Sequence, residues 1–279
     1  MPSDRHAALR RALRLNVGAV AARAGVRVVA AFREKSWVVG ETVFPFLTMA
    51  GFLLVYRGLK APRIYEAFVV LGGVMVAYWN NVLWSMASQF FWDKEEGLLQ
   101  LYLIAPVSRM SILLGMALGG IAMTTSRAVA ILLGGILVFH VPFPLDRLLP
   151  ALGIFALTLT AVYALGMILS SLFLLWGREV WHTAVIFQEP IHLLSGFFFP
   201  VRALGLGVAY AASALPVTLG LDGIRQVFYG GAAHGLLPLG WIPWLLVGFT
   251  IVYLGLARIS LGAMEELGKR EGRLTLRGG

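Results

Sequence analysis

The chain contains no cysteine and few charged residues. Without cysteine, its 279 residues can form neither a disulfide scaffold nor a thiolate metal site. Charged side chains make up 13% of the sequence, whereas a soluble domain carries about a quarter. Hydrophobic residues make up 59%, and the mean hydropathy is +0.81. The composition therefore predicts an integral membrane protein and excludes an ordinary soluble domain.

Motifs for nucleotide binding and for common catalytic sites are also missing from the sequence. No segment matches G-x-x-x-x-G-K-[ST], and the glycines in Gly115–Gly120 and at Gly134 and Gly135 have no lysine in the required place. H-E-x-x-H and G-x-S-x-G do not occur either. We therefore expect no metal or cofactor on this chain. If the protein moves a solute uphill, its nucleotide chemistry belongs to another polypeptide.

The sequence is rich in long apolar runs. Six of them approach the roughly 20 residues that a helix needs to cross about 30 Å of hydrocarbon. They are predicted at Trp37–Tyr56, Ala67–Ser88, Ser111–Phe139, Leu148–Trp176, Val180–Phe199 and Trp241–Leu261. The third and fourth runs are longer than a perpendicular span, so their helices are tilted or kinked or extend beyond the membrane. The predicted fold is all-α, with a six-span membrane domain over residues 37–262.

Both ends of the chain are polar. Residues 1–36 are basic, and no uninterrupted apolar segment follows the charges, so they do not form a cleavable signal. Residues 13–32 mix arginines with small and branched apolar side chains. This mixture predicts an interfacial amphipathic helix whose arginines lie near anionic head groups. A disordered basic tail fits residues 1–12 better, and residues 263–279 predict a solvated tail.

The net charge of +9 is first a topology signal, since lysine and arginine collect on the cytoplasmic side of membrane proteins. With the N-terminus inside, sixteen Lys and Arg fall on the inner side and six on the outer side. The outer ones are Arg57, Lys60, Arg63, Arg147, Arg202 and Arg225. This excess predicts a protein of the inner or plasma membrane with both termini in the cytoplasm. The expected surroundings are membrane lipids and not nucleic acid.

The linker between the second and third runs is longer and more structured than a plain loop requires. Residues 91–105 predict a short cytoplasmic helix with one charged face and one apolar face, although a plain interfacial loop is the alternative. The charged face consists of Asp93, Lys94, Glu95 and Glu96, and the apolar face includes Phe91, Leu98, Leu101 and Tyr102. Such a helix is suited to docking onto a cytoplasmic partner.

Residues 200–230 are apolar but fall into two pieces that are each too short to span a membrane. The pieces begin at Pro200 and Pro216. Two half-helices that dip into the outer leaflet and return would keep both termini on one side, and their backbone must be hidden against protein. Asp222 and Arg225 lie three residues apart on the second piece, and this spacing predicts an ion pair.

Ionisable side chains within the fifth span are candidates for function, because charge is costly in lipid. Glu189 and His192 lie three residues apart, and Glu189 is predicted about 16 Å into the membrane. They either line a polar path between two subunits or satisfy each other beside Pro190. A metal site is disfavoured, because two ligands are too few.

Other polar residues occur in the first, second and third spans. Arg127 could pair with Glu41 or Glu189, but snorkelling to the outer interface is slightly favoured by its depth. Glu41 lies so near the inner end of its span that an interfacial role is expected. Asn80 and Asn81 either form hydrogen bonds between helices, the more common outcome, or face a cavity.

Three ordered motifs resemble those of ABC-2-type transporter permeases. Glu95–Tyr102, with Ala105–Arg109 after it, resembles the signature E-x-G-x-L-E-x-L…T-P-V. Leu194–Pro200 resembles L-S-G-x-x-F-P. Leu215–Arg225, followed by two glycines, resembles P-x-x-Y-x-x-E-x-L-R…G-G, with departures at Leu219 and Asp222. The departures leave the substrate subgroup open.

The resemblance covers about residues 30–262 and implies two permease subunits, identical or homologous, each bound to a cytoplasmic ATP-binding subunit. ATP and Mg would be bound by that partner. The resemblance further implies export, with the helix at 91–105 coupling ATP-driven closure to the spans. The implied interface with the ATP-binding subunit consists of Asp93, Lys94, Glu95, Glu96, Gly97, Leu98, Leu101 and, in the next cytoplasmic turn, Arg178.

The predicted function is that of an exporter's permease subunit for an amphipathic or lipid-linked substrate such as a drug, lipid or glycan. The candidate pathway residues are Glu189, His192, Asn80, Asn81 and Arg127. One alternative is an ion-coupled secondary transporter in which Glu189, His192 and Arg127 relay protons. A membrane-embedded enzyme using Glu189 with His182 and His192 is disfavoured, because no nucleophile or metal set accompanies them.

Overall fold

The computed structural model describes residues 2–33, 35–176, 185 and 188–270, and within these residues the regular structure is entirely helical. We number the α-helices in chain order. They are α1 (Pro2–Arg33), α2 (Lys35–Gly58), α3 (Ile64–Asn80), α4 (Gln89–Glu95), α5 (Leu98–Ile104), α6 (Arg109–Leu133), α7 (Leu148–Trp176), α8 (188–194), α9 (Leu206–Ala212), α10 (Pro216–Tyr229) and α11 (Ile242–Arg270). Short 3₁₀ turns are Leu145–Arg147, Val201–Leu204, Gly230–Ala233 and Leu239–Trp241.

Two of the long helices contain π-helical segments. α3 passes into Asn81–Met86, where the Ala87 N–H donates to Val82 O at 2.9 Å, and α6 passes into Gly134–Val138. A π segment fits one extra residue into a turn and is often found at functional sites. Since α4 follows the first π segment after only two residues, α3 and α4 form one helical rod from Ile64 to Glu95.

In the part of the chain that the structure describes, five helical segments are long and apolar enough to cross a membrane. They are Val39–Gly58, Ile64–Glu95, Arg109–Val138, Leu145–Phe173 and Leu239–Ala263, which match the first, second, third, fourth and sixth predicted spans. Of the fifth predicted span (180–199), residues 180–184, 186 and 187 lie outside the described residues. The pair α9 and α10 is bent by 110°, the geometry of a broken span or a re-entrant hairpin, in the segment where two half-helices were predicted.

α1 begins at Pro2, so residues 2–12, which a disordered basic tail fits better than it fits residues 13–32, are helical. α1 packs along the first half of α6. Glycine allows this close approach: a Cβ atom on Gly115 would lie 2.8 Å from Arg23 Cβ, and one on Gly119 would lie 3.0 Å from Ala24 O. At the other end, α11 continues past the predicted tail boundary at residue 262 to Arg270.

The core forms around α3, which is buried on most of its surface, whereas α2 and α11 expose most of theirs. The largest fully buried side chains include Tyr78, Trp79, Tyr163 and Phe197. Gly72 of α3 touches the turn after α8, where a Cβ atom would lie 1.6 Å from Phe197 O. α3 therefore occupies the centre of the protein, and α2 and α11 lie at its outside.

Candidate functional site

A cavity of about 720 Å³ lies among α2, α3, α6 and α8. Its polar lining consists of Glu41, Thr48, Asn80, Asn81, Arg127 and His192, and its apolar and aromatic lining includes Phe44, Val76, Trp84 and Phe198. Four of the five candidate pathway residues therefore meet at one cavity. The fifth, Glu189, is exposed on α8 and does not line it.

Arg127 does not snorkel to the interface as favoured from the sequence. Its side chain is 4% exposed and forms an ion pair with Glu41 of α2. Glu41 lies two residues after the start of its apolar span at Val39, and its side chain lines the cavity. The physical reason is that α2 runs beside α6 and brings a carboxylate within reach, which stabilises the guanidinium without moving it to water.

Asn80 and Asn81 lie where α3 passes into its π segment. The Tyr163 hydroxyl on α7 donates to Asn81 Oδ1 at 2.9 Å, so the bond between helices predicted for this residue is present. Asn80 Oδ1 and Asn81 Nδ2 are buried without a hydrogen-bond partner. Since both residues line the cavity, these atoms are available to a polar occupant.

The π segment connects α3 to two further helices. Trp84 Nε1 donates to Gln188 Oε1 on α8 at 2.6 Å, and Arg27 of α1 donates to Ser85 Oγ. Together with the bond to α7 at Asn81, three side chains of one turn contact three different helices. The π segment is therefore bonded through its side chains to α7, α8 and α1.

Glu189 and His192 do not form the self-satisfied pair considered from the sequence. Between these two described residues there is no ion pair, and His192 Nε2 is buried without a partner. The His192 ring packs edge-on against Phe197 at 5.5 Å between centroids. Within the described residues, no group of three or more His, Asp or Glu side chains is placed to hold a metal ion.

The helix predicted over residues 91–105 is two helices. α4 ends at Glu95, Gly97 adopts a left-handed conformation with φ 75°, and α5 begins at Leu98. Glu95 and Glu96 are exposed, Lys94 is half-buried, and the apolar Leu101 is 57% exposed. This part of the chain thus keeps both an acidic and an apolar surface, whereas Arg178 lies outside the described residues.

Asp93 does not belong to the exposed charged face. It is 1% exposed, its Oδ2 accepts from Arg23 Nη2 at 2.6 Å, and its Oδ1 accepts from Gln89 Nε2 at 2.9 Å. Successive residues of an α-helix point about 100° apart, so four charged residues in a row cannot share one face. Arg23, whose side chain is 17% exposed, is therefore half-buried and paired with Asp93 instead of projecting freely from α1.

α1 holds both ends of the segment between α3 and α6. Asn16 Oδ1 accepts from Ser108 N at 2.7 Å and from Ser111 Oγ at 3.0 Å, and it thereby caps the start of α6. Arg23 lies over the Tyr102 ring at 5.5 Å. Burial, and then the neighbouring Asp93, raise the pKa of Tyr102 to about 12, so the phenol is neutral at physiological pH.

Asp222 and Arg225 do not pair with each other; each binds backbone groups instead. Arg225 is 4% exposed and donates to Phe68 O at 3.1 Å, Phe197 O at 2.8 Å and Phe199 O at 3.3 Å. Asp222 accepts from Leu236 N at 3.0 Å and from Gln226 Nε2 at 2.9 Å.

Arg225 binds backbone carbonyl oxygens because the helix breaks after α8 and leaves such oxygens free there. Only a side chain with several donors, such as arginine, can satisfy them together. Pro200 precedes the next 3₁₀ turn, and Pro216 occupies the first turn of α10, where a missing N–H is harmless. The second and third motifs are thus joined through Arg225.

Two comparisons with known proteins agree with this architecture. The family model described as ABC-2 type transporter matches residues 26–229. The inner membrane transport permease YadH of Escherichia coli (strain K12) is 27% identical over 222 residues, covering 75% of this chain and 81% of YadH. The probable multidrug ABC transporter permease YbhR of the same organism is 24% identical over 203 residues, covering 71% of this chain and 53% of YbhR.

The family match spans the segments that the three motifs occupy, from α4 and α5 to the turn after α8 and the start of α10. Family members serve as permease subunits and work with an ATP-binding subunit in an ABC transporter. The chain therefore belongs to the ABC-2 type transporter family and is a multi-pass permease subunit of the cell membrane.

Proposed function

We propose that this chain forms the membrane path of an ABC exporter, which moves an amphipathic or lipid-linked substrate outward while a separate subunit binds and hydrolyses ATP with Mg. The observation that supports it best is the 720 Å³ cavity, a volume in the range of small-molecule sites. Arg127 Nε, Asn80 Oδ1 and His192 Nε2 are buried there without hydrogen-bond partners. A head group with donors and acceptors would satisfy these atoms, and an apolar body would lie against the aromatic wall.

The ATP-binding subunit is proposed to dock on the surface formed by the end of α4 and by α5. Glu95 and Glu96 supply exposed negative charge there, and Leu101 and Ile104 supply exposed apolar area. The same proposed interface includes Lys94, Gly97, Leu98 and Arg178. Asp93 is buried behind this interface and forms an ion pair with Arg23. Because α4 continues α3, a push on this surface tilts the rod whose π segment borders the cavity.

A second permease subunit is proposed to cover α2, either a copy of this chain or a homologue. Val39, Phe44 and Leu47 of α2 are exposed, and Phe44 also borders the cavity. A partner on this face would close the cavity's open side and place it between two subunits. The bent pair α9 and α10 then acts as a re-entrant hairpin at the outer end.

Proteoliposomes containing the chain and its ATP-binding subunit test this function. The assay is ATP-dependent export of a panel of fluorescent amphipaths and labelled lipids. We expect transport to require ATP and to fall at least tenfold in Arg127→Gln, since the cavity loses its one guanidinium. Arg14→Gln, an exposed arginine on α1, is the matched control. Transport by the isolated chain that collapses with the proton gradient would instead favour the secondary transporter.

The proton-relay alternative has less geometric support. Of its three residues, Arg127 and His192 line the cavity, but Glu189 lies outside it and is exposed. Arg127 is paired with Glu41, which gives it a fixed charge partner rather than a relay partner. For the enzyme alternative, His182 lies outside the described residues, and the sequence supplies no accompanying nucleophile motif.

A further inference from the structure

A second pocket, of about 450 Å³, lies on the side of the folded protein opposite α4 and α5. It forms between the turn that joins α2 to α3 and the turn that follows the π-helical end of α6. The residues that decide its chemistry are Arg57, Lys60, Arg63, Glu66, Phe139 and His140. None of them belongs to the cavity described above.

The single acidic side chain of this pocket is already neutralised. Arg57 donates to Glu66 Oε2 from Nη2 at 2.8 Å and from Nε at 3.2 Å, and it also donates to Phe139 O. Arg57 thereby ties the two turns together. Among the described residues, no ion pair joins Lys60 or Arg63 to a carboxylate, and both are exposed. The pocket consequently presents uncompensated positive charge.

Two residues at the pocket's rim, Lys60 and His140, have an unfavourable backbone conformation. Lys60 and His140 have φ values of 53° and 54°, and His234 is the one other non-glycine residue with positive φ in the described chain. This conformation costs a side-chain-bearing residue about 1–2 kcal/mol, and glycine would adopt it freely. Strained non-glycine residues cluster at ligand-binding and active sites, and two of the three with positive φ in the described residues line this pocket.

The charge distribution along the sequence points the same way. Three of the six Lys and Arg on the predicted outer side fall within residues 57–63. Outer loops are otherwise poor in these residues, so such a concentration is not explained by topology. A concave site with an ammonium group, a free guanidinium and an imidazole suits an anion with several acceptor oxygens.

We propose that this pocket binds a phosphate group, namely that of an anionic phospholipid in the leaflet opposite α4 and α5. Lys60 and Arg63 would donate charge-assisted hydrogen bonds to the phosphate oxygens. Arg57 would stay bonded to Glu66 and add positive electrostatic potential to the pocket. The location suits a head group, because the pocket lies where α2 ends and α3 begins, at the limit of two spans. This site does not depend on the direction or substrate of transport.

Native mass spectrometry of the purified chain tests the proposal with lipid mixtures of phosphatidylglycerol and phosphatidylcholine. We expect the wild type to retain phosphatidylglycerol preferentially, and the double variant Lys60→Gln/Arg63→Gln to lose at least tenfold in that retention. Arg202→Gln, which removes an exposed charge at the same end outside the pocket, should retain it. Equal retention by the double variant, or equal loss in the control, would overturn the site.

Two further experiments are needed. One distinguishes a loss of lipid binding from a loss of folding, and the other distinguishes a lipid head group from a free anion as the ligand. Lys60→Gly relieves the left-handed backbone while removing the ammonium, so it should unfold no earlier than wild type yet bind the lipid more weakly. Unchanged lipid retention in this variant would count against the role of Lys60. Inorganic phosphate is added alone in the last arm. Displacement of bound lipid supports a phosphate site, and binding of inorganic phosphate without any lipid preference would overturn the lipid assignment.

Discussion

Replacing Asp93 by asparagine tests whether α1 is locked to the segment that follows α3. Asp93 is 1% exposed, and its partner Arg23 is 17% exposed at 2.6 Å. Breaking a buried ion pair from one side costs about 3–5 kcal/mol, because the other charge stays buried without its partner. Asparagine keeps one acceptor oxygen, and Arg23 keeps its contact with the Tyr102 ring. We therefore expect a loss of about 3 kcal/mol in the free energy of unfolding, at the lower end of this range.

A double-mutant cycle isolates the interaction itself. The set is Asp93→Asn, Arg23→Gln and the two together, measured by detergent-titrated unfolding in micelles with tryptophan fluorescence as the readout. We expect the double variant to lose about 2 kcal/mol less than the sum of the singles, because the second change removes an orphaned charge. Arg10→Gln, an exposed arginine on the same helix, should leave stability unchanged. Energies that add within about 0.5 kcal/mol would refute the lock.

Three further predictions concern the proposed docking surface at the end of α4 and on α5, and the close contacts of the core. Glu95→Lys/Glu96→Lys should lower co-purification with the ATP-binding subunit at least tenfold while membrane insertion is kept, and unchanged co-purification and transport would remove these residues from the interface. Gly72→Ala should cost about 3 kcal/mol or prevent folding, since its Cβ atom would lie 1.6 Å from a backbone carbonyl oxygen, whereas Gly248→Ala, with open space around it, should be tolerated in the same unfolding assay. Arg225→Lys should lower the unfolding free energy by about 2 kcal/mol, because an ammonium cannot serve three carbonyls as the planar guanidinium does; an unchanged midpoint would contradict this role.

The elements of this fold that follow from local chemistry could be predicted from the sequence. Apolar length alone located five spans, because the lipid environment demands it. Prolines and glycines marked the breaks around Pro200 and Pro216, where the helices are short. The candidate pathway residues were recognisable because polar side chains are rare in spans, and four of those five residues line one cavity.

What could not be predicted depends on which helix lies beside which. The sequence offered Glu41 and Glu189 as partners of Arg127 but favoured snorkelling, and the choice of Glu41 depends on α2 running alongside α6, which only the packed structure shows. The burial of Asp93 was hidden in the same way, because its partner Arg23 is 70 residues earlier on a helix expected at the membrane surface. Its exclusion from the charged face, however, follows from helical geometry alone and could have been predicted.

In the function proposed above, the π segment of α3 links the surface formed by the end of α4 and by α5 to the cavity. α4 is the continuation of α3, so a force on Glu95 reaches Asn81 along one rod. An unbroken α-helix would move as a rigid body and shift all its neighbours together. In the π segment, Asn81, Trp84 and Ser85 are instead bonded to α7, α8 and α1. In this proposal, tilting the rod would strain these three bonds and would change the shape of the cavity bordered by Asn81 and Trp84.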